Sequence, residues 1–202
     1  ASRGIGKAMA LRLAKEGANI VIAAKSVEED PRLGGTIFSA AQEVEAAGGR
    51  ALAVQVDIRH EDQIQAAVQQ AVERFGGIDV LINNAGFGIN KAFSASPLDA
   101  EQQMFDVLIR TPMRLMHTII PGMKERKSGI IINVSSVASF IAGGTYSASK
   151  SYLTVLSESL NTELASSGVK VSALCPGFTR TEFHERGRMK MGGLPKFMWL
   201  NS

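Results

Sequence analysis

The chain has 202 residues, 45% hydrophobic and 20% charged, with a formal net charge of +3, a composition that suits one globular domain with a full core. That charge is mild and spread out. Its densest patch, Lys124 to Lys127, reads as a solvated helix end, and without a basic stripe interleaved with aromatics nucleic-acid binding is excluded. With apolar runs of only a few residues, no stretch resembles a signal peptide or membrane span and none is expected, and the single cysteine, Cys175, excludes a disulfide within these residues. A cytoplasmic protein is expected. His60, His117 and His184 do not approach metal-ligand spacing, so no metal is expected.

In chain order, Gly4 and Gly6 precede a predicted helix whose apolar positions include Ile5, Met9, Leu11, Leu13 and Ala14, ended by Gly17. Glycines before a helix start let a phosphate approach free backbone N–H groups, though two glycines taken alone read first as a tight turn. Asn19 to Ala24 is a buried-strand candidate. A Pro- and Gly-containing loop follows, then a helix over Thr36 to Ala47. Arg50 to Val56 reads as a strand ending at Asp57, an aspartate that also suits a turn or helix cap. Next come a helix over Glu61 to Phe75, with Ile64, Ala67, Val68, Ala71 and Val72 on one stripe, and a strand over Ile78 to Ile82 that runs into Asn83 to Gly86. Asp99 to Lys127 is a long helical stretch in which Pro112 predicts a kink.

Ile130 to Val134 is an apolar strand ending in Ser135 and Ser136, where hydroxyls can hold a substrate carbonyl. A glycine-containing loop leads to Tyr146 and Lys150, one helical turn apart on one face. A free tyrosine titrates near pH 10, so acid or base work near neutrality needs a lower value, and a neighbouring ammonium favours phenolate. The helix, over Tyr146 to Ser167, carries Leu153, Leu156, Leu160 and Leu164 as its apolar stripe, and Val169 to Leu174 is a further strand. Cys175 reads as a small core residue. Residues 184–202 mix basic and large apolar side chains, a pattern that also suits a membrane surface.

Strand, serine pair, glycine loop, YSASK and apolar helix together resemble the active-site segment of the short-chain dehydrogenase/reductases, and the resemblance runs essentially end to end. From Gly17 to Ala85 the wording is closest to the hydroxysteroid-dehydrogenase-like branch. The opening resembles the family motif TGxxxGIG with its Thr-Gly and preceding strand cut away. The implied fold is a doubly wound α/β parallel sheet of Rossmann type, in one domain over residues 1–202. It would lack the usual first strand and C-terminal strand, with residues 183–202 as a substrate lid. The family also implies a homodimer or homotetramer.

The resemblance further implies a catalytic set of Tyr146 as general acid or base, Lys150 lowering its pKa and holding the nicotinamide ribose, and Ser136, or else Ser135, orienting the substrate oxygen. Cofactor-binding positions would be Ser2, Arg3, Gly4, Ile5 and Gly6 at the glycine loop, Asp57 and Ile58 at the adenine, and Asn84, Ala85 and Gly86 beside the nicotinamide. Pro176, Gly177, Thr179 and Thr181 match the family's PG-x-x-x-T, and Tyr146 and Lys150 also touch the cofactor. Lys25 and Ser26, about 20 residues past the glycine loop, favour NADP over NAD, with Arg3 as a helper. The partner is a small carbonyl or alcohol. Two departures stand out. Leu108 occupies the place of an asparagine that in the family holds a proton-relay water, and the loop between Ser136 and Tyr146 is short enough to pull the two out of alignment. Two functional classes follow: an NADP(H)-dependent oxidoreductase, or a cofactor-binding protein or nonproductive fragment without turnover.

Overall fold

The computed structural model describes residues 2–31, 34–181, 183, 195 and 199–201. The chain forms two compact units, one made by the residues up to Gly77 and the other chiefly by Ile78 to Thr179.

In the first unit, α1 (Gly4–Ala14), β1 (Asn19–Ala24), α2 (Ile37–Ala46), β2 (Arg50–Gln55) and α3 (Glu61–Phe75) alternate. β1 and β2 are parallel, from Asn19 opposite Arg50 to Ala24 opposite Gln55. The core is small-residue packing: Ala10 and Ala14 of α1 meet Ile22 of β1 and Ile37, Ala40 and Val44 of α2. Alanines at this face let the helices approach the strand closely, whereas the larger Met9 and Leu11 stay half-buried. α2 opens with a reciprocal cap in which Thr36 and Ser39 each accept the other's backbone N–H. α3 ends at Gly76 in the left-handed region, φ 85°. Its buried stripe is narrower than predicted: Ile64 and Ala71 are buried while Val72 is 43% exposed.

The second unit is built on three parallel strands in the order β3 (Val80–Asn83), β4 (Gly129–Val134), β5 (Val169–Leu174). In β4 the odd positions Gly129, Ile131 and Asn133 are buried, while Ile130 is 43% exposed, the period-2 pattern of a sheet with one fully covered face. The helices are α4 (Leu98–Phe105), α5 (Thr111–Glu125) and α6 (Gly144–Glu163), and β6 (Phe178–Arg180) pairs with β7 (Trp199–Asn201).

The predicted kink at Pro112 is a π-turn over Asp106–Arg110 between α4 and α5. Pro112 has no N–H to donate, and the chain widens by one residue before it. Thr111 donates both its backbone N–H and, at 2.9 Å, its hydroxyl to the Asp106 carbonyl. A π-turn inside a helix often marks a functional site, and Leu108, 2% exposed, lies within this one. The expected lid over residues 183–202 lies almost wholly outside the described residues.

Candidate active site

In the second unit, α6 begins earlier than predicted, at Gly144. Gly144 takes φ 72° with nothing within 4 Å of where a Cβ would sit, so a backbone that most residues disfavour carries the chain from a short 3₁₀ turn, Val137–Phe140, straight into the helix. The short loop leaves the Ser136 hydroxyl near enough to Tyr146 to favour its phenolate. Ser136 Oγ also accepts the Ala138 N–H at 3.1 Å.

The two serines take different tasks. Ser135, 3% exposed, is committed to packing: its hydroxyl reaches the Lys150 carbonyl at 2.9 Å and Thr154 Oγ1 at 2.7 Å. Ser136 is the one that faces Tyr146. Ser135 N–H donates to the Leu174 carbonyl and Val137 N–H to the Pro176 carbonyl, so the ends of β4 and β5 leave the sheet tied together. Thr179 Oγ1 donates to the Gly177 carbonyl at 3.2 Å.

Lys150 is 4% exposed, and its ammonium donates to the Val134 carbonyl at 2.7 Å while standing 5.7 Å from the centre of the Tyr146 ring. Burial pushes its pKa down to about 8, against a smaller upward pull from nearby Cys175. Tyr146 departs from the sequence expectation. Burial raises its pKa, and the opposing influence is the Ser136 hydrogen bond rather than Lys150, because the ammonium is turned to the strand carbonyl. Phe183 lies 5.9 Å from the Tyr146 ring. Gly86 backs onto the same place: a Cβ there would meet Leu108 Cδ2 at 3.0 Å and Lys150 Nζ at 3.8 Å, so only glycine leaves that backbone open beside the ammonium.

In the first unit, Gly4 and Gly6 lie within the first turn of α1, not ahead of it. The helix N-terminus has no side-chain cap and no acidic residue in its first turn, which leaves its N–H groups to an anion. Ser2 is buried just before it. Arg3 is placed differently from expectation. Its guanidinium holds the loop after β1, donating to the carbonyls of Gly34 and, at 2.8 Å, Gly35. Exposed Lys25 and half-buried Asp57 line a polar hollow of about 490 Å³ with Gln55, Gln63 and Gln70. Asp57 behaves as a turn aspartate. It accepts Arg59 N–H at 3.2 Å and Arg59 Nε at 2.9 Å, and the guanidinium, with a smaller contribution from Lys25, holds its carboxyl well below the usual range. Ser26 offers its carbonyl to Ile37 N–H at 2.9 Å, and Ile58 follows Asp57 at the same strand end. Thr181, half-buried, lies just past β6.

Sequence reasoning missed a buried polar row. Asn133, fully buried, accepts from Asn83 Nδ2 at 2.8 Å and donates to Ser157 Oγ at 2.8 Å. The signal was present in α6, where Lys150, Thr154 and Ser157 recur at helical spacing, but the leucines beside them drew the reading. Leu153 and Leu164 are buried as predicted, whereas Leu156 and Leu160 are only half-buried.

Parallel strands with flanking helices and a glycine-started α1 describe an α/β fold of Rossmann type. The family model for short chain dehydrogenases matches residues 1–191, and the chain belongs to that family of oxidoreductases. It is 50% identical over 135 residues to hydroxysteroid dehydrogenase-like protein 2 of Mus musculus, covering 67% of this chain and 28% of the relative. The Homo sapiens counterpart is 48% identical over 140 residues, covering 67% and 32%. The chain thus spans about a third of those relatives' length or less. A solved structure from Xanthomonas campestris superposes with TM-score 0.89 at 34% identity, over 99% of this chain and 74% of that one. L-Sorbose reductase of Gluconobacter frateurii, solved with NADPH and L-sorbose, superposes with TM-score 0.79 at 33% identity, over 89% and 67%. Among the described residues, no helix is long and apolar enough to cross a membrane and no group of side chains could hold a metal.

Proposed function

We propose that this chain interconverts an alcohol and a carbonyl, with NADP(H) as the hydride carrier. The observation that carries the reading is the meeting of Ser136, Tyr146 and Lys150 at the end of β4, with the Ser136 hydroxyl on Tyr146 and a buried ammonium beside it. In reduction, Ser136 orients the carbonyl oxygen and Tyr146 delivers its proton. Burial keeps the phenol protonated, as an acid requires. Lys150, with a pKa near 8, is positioned to accept or return a proton near neutrality and to hold the nicotinamide ribose.

The residues fit the cofactor in each unit. In the first, the uncapped N-terminus of α1 suits a pyrophosphate, and Lys25 suits an adenosine 2′-phosphate. In the second, Gly86, Asn84 and Ala85 would form a backbone wall beside the nicotinamide, with Pro176, Gly177 and Thr179 opposite. When bound, the dinucleotide supplies or accepts the hydride. Apolar side chains exposed on three helices of the second unit, Phe105, Met113 and Val155, support self-association, which sedimentation of the purified chain would measure.

A second reading, cofactor binding without turnover, is favoured by Leu108, which is buried against Gly86 and offers no hydrogen bond to a relay water. Titrating NADPH binding, and separately following NADPH oxidation against a panel of carbonyls, divides the two. Oxidation with any carbonyl supports the enzyme, and tight binding with none supports the second reading.

A further inference from the structure

α6 is held to β4 by polar bonds at three successive turns of one face. Lys150 Nζ donates to the Val134 carbonyl at 2.7 Å, Thr154 Oγ1 meets Ser135 Oγ at 2.7 Å, and Ser157 Oγ accepts from Asn133 Nδ2 at 2.8 Å. The participating side chains are all at most 6% exposed. Burying hydroxyls and an amide costs free energy unless each is satisfied, and apolar groups would hold a helix to a strand at lower cost. What polar bonds add is direction. An apolar face can slide or roll on its strand by a few tenths of an ångström, whereas a set of short hydrogen bonds fixes both height and rotation.

Asn133 is the node of this arrangement. Its register partner across the parallel ladder is Asn83, so both amides project from the same side of the sheet, and Asn83 Nδ2 donates to Asn133 Oδ1 at 2.8 Å. Asn133 Nδ2 then donates to Ser157, whose own hydroxyl donates to the Leu153 carbonyl at 2.6 Å, and also approaches Met116 Sδ at 3.3 Å. One side chain therefore connects the strand that runs into Asn84 to Gly86, the strand that ends in Ser135 and Ser136, and the helix that carries Tyr146 and Lys150.

We propose that Asn133, acting with Ser157, is a positioning residue that sets the height and rotation of α6 on β4 and thereby holds the Lys150 ammonium on the Val134 carbonyl beside Gly86. Its relevance to turnover rests on the catalytic reading of Tyr146 and Lys150. The positioning itself does not.

The test follows the Lys150 titration by NMR of the lysine-labelled 202-residue chain, without substrate or cofactor. Lys150→Met identifies the resonance. The titratable groups facing the ammonium are Tyr146 and Cys175, and neither changes in the variants. Asn133→Leu keeps the branched shape of the side chain and removes its bonds to Asn83, Ser157 and Met116. Ser157→Ala removes only the link to α6, and so carries the test if Asn133→Leu does not fold. Loosening α6 admits water to the ammonium, so the midpoint is expected to rise in both variants by about one pH unit, a tenfold change in ionisation constant. Ser157→Thr, which restores a hydroxyl, is expected to keep the parent midpoint. Folded variants that melt earlier yet titrate as the parent does would overturn the proposal, since a merely structural bond lowers stability without moving Lys150. A threonine variant shifted as far as the alanine one would overturn it as well. Failure of the catalytic reading is seen separately, as undiminished turnover in Tyr146→Phe.

Discussion

In the first unit the charged candidates stand at the surface. Lys25 is exposed, and the Arg59 and Asp57 side chains retain 36% and 21% of their accessibility. In the second, Lys150 is 4% exposed, and the buried side chains of Asn133, Ser135, Lys150, Thr154 and Ser157 are hydrogen-bonded inside the protein. Charges in water can be exchanged for one another at little cost to the fold, and their effects are screened by salt. Buried polar groups act as a set, so that removing one leaves another unpaired. On the proposed function the first unit selects the cofactor and the second carries the chemistry, and substitutions are expected to divide the same way.

The largest expected effect belongs to the second unit. Tyr146→Phe should lower carbonyl reduction by roughly 10²- to 10⁴-fold while leaving NADPH affinity nearly unchanged, measured by steady-state oxidation and fluorescence titration. Turnover at the parent rate would remove Tyr146 from the mechanism.

Lys150 should also leave a mark on stability. Its folded pKa of about 8 lies below the ordinary 10.5, so between those values the unfolded chain binds more protons and stability rises with pH. Below about 8 the full penalty of the buried charge is present, at most about 3 kcal/mol. Denaturant melts of the parent should strengthen across that alkaline window, and Lys150→Met should remove the slope. A parent and variant with parallel pH dependence would mean that Lys150 is hydrated.

In the first unit, Lys25→Asp should reverse a preference for NADP(H) over NAD(H), exchanging one charge-assisted contact of about 1.5–3 kcal/mol for repulsion, with little change in melting temperature. Equal affinity of the parent for both cofactors would sink the assignment, and an effect insensitive to salt would place the contact in a more buried setting.

Leu108→Asn is the subtlest. A polar side chain inside the π-turn should raise turnover a few-fold by holding a relay water, and should cost about 1.5–3 kcal/mol of apolar burial. A melting temperature that falls with no gain in rate would leave Leu108 with a packing role alone.

Much of the fold was legible because local rules dominate it. The strands Asn19–Ala24 and Val169–Leu174 and the helix Glu61–Phe75 fall where periodicity, β-branched runs and glycine stops place them. The Ser-Tyr-Lys set was legible as a motif. What escaped depended on packing across the chain. Arg3 is occupied by carbonyls some thirty residues away, and Ser135 and Ser136, successive residues just past β4, differ in the partners that packing gives each hydroxyl. The buried row of Asn133, Thr154 and Ser157 was hidden because burial of polar residues follows from their partners, and partners are tertiary.

The π-turn over Asp106–Arg110 makes α4 and α5 out of phase with each other. An α-helix advances about 100° per residue, so deleting one residue from this turn would let the segment wind without interruption, restoring regular backbone bonds up to Pro112. The same deletion would roll the buried row of α5, Met116, Ile119 and Met123, by that angle against the α4 face that carries Met104. A shorter, better-formed helix would therefore bring His117, Ile120 and Lys124 to the places that Met116, Ile119 and Met123 hold. The extra residue serves as a shim, and the irregular helix is the one that fits.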